Sequence, residues 1–313
     1  MKAIVLKEPG GSENLALENL KKPDLKENEI LVRVHAISIN PVDVKTRNGG
    51  AMYHQLKSEQ PLVLGWDISG EVEAIGSKVK KFKKGQLVFG MTNFPGHGKA
   101  YAEYVAAPEE HLTLKPEGIT HTQAAATSLA ALTAWQVLYH EAQVTTKQNI
   151  LIHAAAGGVG HFAVQMAKLM GRTVSGTASY KNATFLKEIG ADRHIDYTKE
   201  QIEDIATDID VILDPIGGDT TLKSIECLRP GGKLISIVGG VKEEVMAKAK
   251  DKNIQASNYL VKSSGNDMKK IAELLDSRAI KPIISHVFSF TDIASAHQQI
   301  ETGKTRGKVV VVV

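Results

Sequence analysis

From residue 149 to residue 239 the chain repeats one pattern: a short apolar run, a turn, then an amphipathic stripe of helical period. NILIHA is followed by GHFAVQMAKLMG, TVSGTA by NATFLKEIG, RHIDY by EQIEDIA and DVILDP by TTLKSIECLRPGG, and KLISIVG closes the series. Runs this short and this rich in β-branched residues are strands. Helices between them carry the chain back so that each strand lies parallel to the last. The fold class that follows is α/β, with a doubly wound parallel sheet.

The first strand-to-helix turn is the most informative. Ile150 to His153 reads as a buried strand, and Val159, Ala163, Met166 and Met170 fall on one helical stripe. Gly157, Gly158 and Gly160 lie between them. Without Cβ atoms the turn can tighten and a ligand can approach the main chain, while the helix N-terminus presents unpaired N–H groups and partial positive charge. A pyrophosphate suits that place, so the turn reads as a dinucleotide site, although the first glycine of a full G-x-G-x-x-G is an alanine here. A glycine turn kept only for close packing is the alternative.

The end of the second strand bears on which dinucleotide is bound. An acidic residue there would hold the ribose hydroxyls of NAD, but no carboxylate stands between Val174 and Asn182. Ser179 and Lys181 offer hydrogen bonds and a positive charge instead, which suits a 2′-phosphate and favours NADPH. A solvated surface lysine is the other reading of Lys181.

Residues 1 to about 115 are different in texture: short β-branched runs such as EILVRVHAISI, DISGEVEAIG and AEYVAA, broken by glycine and proline, read as a compact β domain. Near residue 280 similar text returns in IKPIISHVFSF and the final KVVVVV. The domains expected are therefore 1–118, completed by 280–313, and 119–279. A chain of 313 residues accommodates two such cores.

The 38 basic and 35 acidic residues leave a net charge of +3, which does not mark a nucleic-acid binder. The lysine cluster KVKKFKKG at 78–85 reads as a solvated hairpin approach. No apolar run approaches a membrane span or a signal peptide, so a cytoplasmic protein is expected, and the single Cys227 fits a reducing compartment. The 11 histidines show no ligand spacing, so no metal is expected.

SINPVDVKTRNG (38–49), LGWDISGEVEAIG (64–76), YAEYVAA (101–107), AAAGGVG (154–160), GADRHIDYTKE (190–200), DVILDPIGG (210–218), RPGGKLISI (229–237) and GKVVVVV (307–313) together carry a family resemblance. The chain resembles the medium-chain dehydrogenase/reductase superfamily, in its zinc-free quinone oxidoreductase and enone (alkenal) oxidoreductase branch. That resemblance implies a GroES-like β-barrel domain and a Rossmann NADP-binding domain with the active site between them. It implies cofactor binding by Thr133, Ala156, Gly157, Gly158, Val159, Gly160, Thr177, Ser179, Lys181, Tyr197 and Val238, and catalytic roles for Asn40 and Lys45. Relatives are commonly dimers through the edge of the Rossmann sheet, and IQASNYLV at 254–261 is the candidate strand.

Asn40 and Trp66 stand where zinc-dependent members of the superfamily have a cysteine and a histidine, so neither can bind zinc in the usual way. Without a Lewis acid, reduction of conjugated acceptors is the chemistry expected. Hydride delivered to an enone β-carbon or to a quinone spreads negative charge onto an oxygen, which a cationic Lys45 or the Asn40 amide would meet. The expected partner is thus a small quinone or enone, with no nucleic acid and no membrane, and a homodimer as the assembly. Zinc-independent alcohol oxidation and a non-catalytic, crystallin-like NADPH-binding protein are the alternatives.

Overall fold

The computed structural model describes all 313 residues. In chain order the elements are β1 (Lys2–Leu6), β2 (Leu15–Asn19), β3 (Glu29–Ile39), α1 (Pro41–Arg47), α2 (Tyr53–Leu56), β4 (Asp67–Ile75), β5 (Leu87–Met91), β6 (Tyr104–Pro108), β7 (Leu112–Leu114) and α3 (His121–Trp135). Then come β8 (Asn149–Ile152), α4 (Gly158–Leu169), β9 (Thr173–Ala178), α5 (Ala183–Glu188), β10 (Arg193–Asp196), α6 (Ile202–Ile205), β11 (Ile209–Asp214), α7 (Asp219–Ser224), β12 (Leu228–Ser236), α8 (Glu243–Asp251) and β13 (Gln255–Asn258). The chain ends with α9 (Gly265–Asp276), β14 (Ile284–Ser289), α10 (Ile293–Glu301) and β15 (Lys308–Val312).

These elements form two compact units, Met1–Leu132 with Lys262–Val313, and Thr133–Val261. The second unit is therefore shorter at both ends than the stretch 119–279 that the change of texture suggests. Most of α3 and all of α9 belong to the first unit, because an apolar helical stripe does not say against which sheet it packs.

In the first unit the sheet runs β14-β15-β3-β4-β5-β7, with β6 also paired to β3. The KVVVVV segment supplies β15, antiparallel to β3 with Val310 opposite Ser38. In β15 Val309, Val310 and Val311 are all fully buried, a continuous apolar run rather than an alternating one. Helix α1 starts where the sequence demands: Pro41 occupies its first turn, and Asp43 Oδ2 accepts the Asn40 backbone N–H at 2.6 Å.

In the second unit six parallel strands lie in the order β10-β9-β8-β11-β12-β13. Numbered within the unit this is 3-2-1-4-5-6, the doubly wound order that the alternation predicts. Strand β11 is buried along its whole length, as a central strand covered on both faces must be. One stretch departs from expectation. TTLKSIECLRPGG has the pattern of a single helix, but α7 ends at Ser224 and RPGG lies inside β12, which starts at Leu228. Leu228 pairs with Ile209 ahead of a register shift, so the glycines are absorbed into an irregular strand.

Candidate functional site

In the parallel sheet the strand order reverses between β8 and β11, and ligands of such sheets bind beyond the carboxyl ends of the strands at that switch. The turn after β8 lies there. Gly157 is the N-cap of α4, in extended conformation, and offers no side chain to the first-turn N–H groups. Those groups, on Gly158, Val159 and Gly160, are left for a ligand, and the helix dipole favours an anion.

Gly160 has a second duty. A Cβ there would lie 2.3 Å from the Ala154 carbonyl oxygen and 2.7 Å from Ala155 Cα, so the helix passes directly against the turn backbone. Ala154 itself has a left-handed φ of 45°, and its carbonyl accepts the Gly157 N–H at 2.8 Å. Part of the glycine pattern is thus close packing, which sharpens the turn from which the N–H groups project.

Thr177, at the end of β9, is buried, and its Oγ1 accepts the Ala154 N–H at 3.2 Å. Ser179 is half-buried and opens a short turn at 180–182, in which Lys181 is exposed. Tyr197 follows β10 and is 65% exposed. Ala156 and Thr133 are buried, and Val238 is exposed beyond β12. The residues named from sequence on this unit therefore gather at the strand ends, except that Thr133 belongs to α3.

Sequence reasoning missed a buried polar layer beneath this turn. His153 Nδ1 lies 3.1 Å from Thr177 Oγ1, and its Nε2 lies 2.9 Å from Ser224 Oγ. Asp214 ends β11 with Oδ1 accepting the N–H groups of Ile216 and Gly217 at 2.8 and 3.1 Å, and Oδ2 accepting the Thr221 hydroxyl. Ser236 Oγ takes the Gly240 N–H at 3.1 Å. The signal was present: a histidine follows the apolar NILI, an aspartate ends DVILD and a serine interrupts KLISIVG. One carboxylate, Asp196, ends β10 opposite Ala178, but its Oδ1 is held by the Thr198 backbone N–H and hydroxyl.

In the first unit, Asn40 and Lys45 part company. Lys45 is on the exposed side of α1. Asn40 is 1% exposed, its Nδ2 donating to Asp67 Oδ2 at 2.8 Å and its Oδ1 accepting from Lys308 Nζ. Asp67 Oδ1 accepts the Leu129 N–H at 2.8 Å. Burial pushes the Asp43 carboxyl up to about 8 and Asp67 up to about 6, the latter restrained chiefly by the Lys308 ammonium, and burial lowers Lys308. The amide of Asn40 is thus committed to a buried network, whereas the Lys45 side chain is exposed. Trp66 is fully buried, meets Phe94 edge-on at 5.1 Å and donates its indole N–H to the Gly96 carbonyl at 2.7 Å, so it is core.

Residues 26–117 match the alcohol dehydrogenase GroES-like domain family and residues 189–311 the zinc-binding dehydrogenase family. The NADPH-dependent alkenal/one oxidoreductase, chloroplastic, of Arabidopsis thaliana is 35% identical over 99% of this chain and 79% of its own length. The chain belongs to the medium-chain dehydrogenase/reductase superfamily. The quinone oxidoreductase from Coxiella burnetii superposes on this medium-chain reductase with a TM-score of 0.95, at 39% identity, covering 100% of this chain and 99% of that one. The Escherichia coli quinone oxidoreductase complexed with NADPH superposes at 0.90, with 26% identity and full coverage of both chains.

The second family name implies zinc, and the residues of this medium-chain reductase do not fit it. Asn40 and Trp66 have the partners given above, a lysine ammonium lies against Asn40, and no three His, Cys, Asp or Glu side chains come together as a ligand set.

Proposed function

We propose that this protein is an NADPH-dependent oxidoreductase that transfers hydride, without zinc, to a quinone or to the activated C=C bond of an enone or alkenal. The observation that carries the reading is the end of β9: where an NAD enzyme would place a carboxylate, this chain presents Ser179 and Lys181, beside an uncapped α4 N-terminus. The likeness to an NADPH-dependent alkenal/one oxidoreductase and to quinone oxidoreductases supports the substrate class.

The N–H groups of residues 158–160 hold the pyrophosphate. Ser179, Lys181 and Tyr197 surround the 2′-phosphate. Bound there, the reduced nicotinamide supplies the hydride. Lys45 meets the negative charge that develops on the acceptor oxygen, and solvent delivers the proton. No helix is long and apolar enough to cross a membrane. The reading includes a cytoplasmic location and a homodimer joined through β13, one of the two edge strands of the parallel sheet.

The test is cofactor oxidation with 1,2-naphthoquinone, alkenals and cyclic enones, NADPH and NADH side by side. Turnover with at least one acceptor, and preference for NADPH, is expected. Oxidation of simple alcohols in place of these reductions would overturn the reading.

A further inference from the structure

We infer that His153 is the positioning residue of the dinucleotide turn, fixing the phosphate-binding backbone through the Thr177 hydroxyl. The inference rests on the NADPH reading above. His153 is 2% exposed and cannot itself touch a ligand lying over the turn.

The direction of each hydrogen bond follows from counting protons. Ser224 has one hydroxyl proton, and its Oγ donates to the Thr220 carbonyl at 2.6 Å. Ser224 Oγ must therefore accept from His153, which puts the imidazole proton on Nε2, 2.9 Å away. His153 Nδ1 is then an acceptor, and it takes the Thr177 hydroxyl proton at 3.1 Å. With its proton so directed, Thr177 Oγ1 turns a lone pair to the Ala154 N–H at 3.2 Å. Burial, opposed only in part by Asp214, pushes His153 down to about 4, so the neutral form this chain needs is the one present at neutral pH.

What the chain of bonds holds is the costly residue of the turn. Ala154 keeps a left-handed φ of 45° with a Cβ, a conformation an alanine adopts only when its surroundings impose it. Its carbonyl accepts the Gly157 N–H at 2.8 Å, and that oxygen is the atom against which Gly160 packs. Thr177 also accepts the Ala155 N–H on its backbone oxygen at 2.9 Å, so β9 grips the turn at two successive residues. Loss of the imidazole leaves the Thr177 hydroxyl free to rotate away from Ala154 N, and the backbone that aims residues 158–160 is released.

The experiment measures NADPH dissociation constants by fluorescence for the parent, His153→Phe, Thr177→Val, Thr177→Ser and the double variant His153→Phe/Thr177→Val. Each of the first two substitutions is expected to weaken NADPH by about tenfold, the loss that follows from one buried group left unpaired. In His153→Phe, turnover at saturating NADPH should stay within about twofold, because the buried imidazole touches neither cofactor nor acceptor. The double variant should bind no more weakly than either single one, since both remove the same chain of bonds. Thr177→Ser, which keeps the hydroxyl, should recover the parent affinity. If His153→Phe does not fold, the Thr177 pair still decides: equal affinities for the valine and serine variants overturn the inference. So does a parent-like affinity in His153→Phe, or a double variant whose losses multiply. A parent protein that binds neither NADPH nor NADH overturns the dinucleotide reading, and this inference with it.

Discussion

Asn40 Nδ2 donates to Asp67 Oδ2 at 2.8 Å, inside a network that also takes in the buried ammonium of Lys308. Within it the Lys308 ammonium lies 4.0 Å from Asp67 Oδ2, both side chains buried, as an internal ion pair. A buried pair is strongly destabilising when one member is deleted, because the other is left as an uncompensated charge. Lys308→Met should therefore lower the unfolding free energy by about 3–5 kcal/mol at neutral pH. The loss should be smaller at pH 5, where Asp67, its pKa further raised by loss of the cation, is protonated. Urea unfolding at pH 5 and pH 8 measures both, and an equal loss at the two pH values would show that the charge of Asp67 is not what Lys308 balances.

Gly160→Ala places a methyl carbon 2.3 Å from the Ala154 carbonyl oxygen, against backbone that cannot yield cheaply. Gly118→Ala is the control, since nothing lies within 4 Å of a Cβ there. Overpacking of this kind costs about 1–3 kcal/mol or more, so NADPH binding should fall at least tenfold in Gly160→Ala. Gly118→Ala should bind like the parent. Equal affinities in the two variants would mean that the turn is looser than its packing implies.

Lys181→Ala separates the two dinucleotides. The lysine is exposed at the end of β9 and is assigned to the 2′-phosphate alone. KM for NADPH should rise about tenfold and KM for NADH should not move, since the substitution removes a charge-assisted bond that only the phosphorylated cofactor can make. A parallel rise in both would place Lys181 elsewhere on the nucleotide.

Lys45→Met tests the proposed charge at the acceptor. Its expected signature is a fall in kcat of about tenfold or more with the NADPH dissociation constant unchanged, as for an interaction made only in the transition state. Parent-like turnover with every enone and quinone would remove Lys45 from the mechanism.

The doubly wound sheet was legible because its signal is periodic: a buried strand such as DVILDP and a helix such as GHFAVQMAKLMG differ in both length and apolar spacing. The glycine turn was legible as a turn because three glycines in four positions separate a strand text from a helical one. The buried partners were not. Lys308 opens the text KVVVVV with nothing beside it to mark a buried charge, yet it is 2% exposed and its partners Asn40 and Asp67 are more than 240 residues away in the chain. Asn40 likewise reads as a free amide until the strand pairing of β3 with β4 and β15 brings Asp67 and Lys308 to it. Local text carries no record of such long-range pairings, and for the same reason it misassigns α3 and α9 to the second unit.

The pH dependence of stability follows from the same buried groups, and the sign depends on the window. Asp43 is raised to about 8 by burial, against the opposing Asn40 N–H. The folded protein thus holds a proton that the unfolded chain releases near pH 4, and Asp43 lowers stability as pH climbs toward 8. His121 and His153, lowered to about 4, and His297, lowered to about 3, act the other way, since the unfolded chain binds protons there up to about pH 6.5. These opposed effects overlap between about pH 4 and 6.5. Above about pH 7 the histidines are mostly neutral in both states and Asp67, raised only to about 6, is mostly ionised, so Asp43 is the buried carboxyl that still titrates. Unfolding free energy should therefore fall by about 1 kcal/mol between about pH 7 and 8, less than the full single-proton slope because Asp43 is half ionised at its folded pKa. Asp43→Asn, which carries no titrating proton, should abolish the fall while leaving the rise below pH 6.5 in place. A decline of equal slope in that variant would assign it to another group.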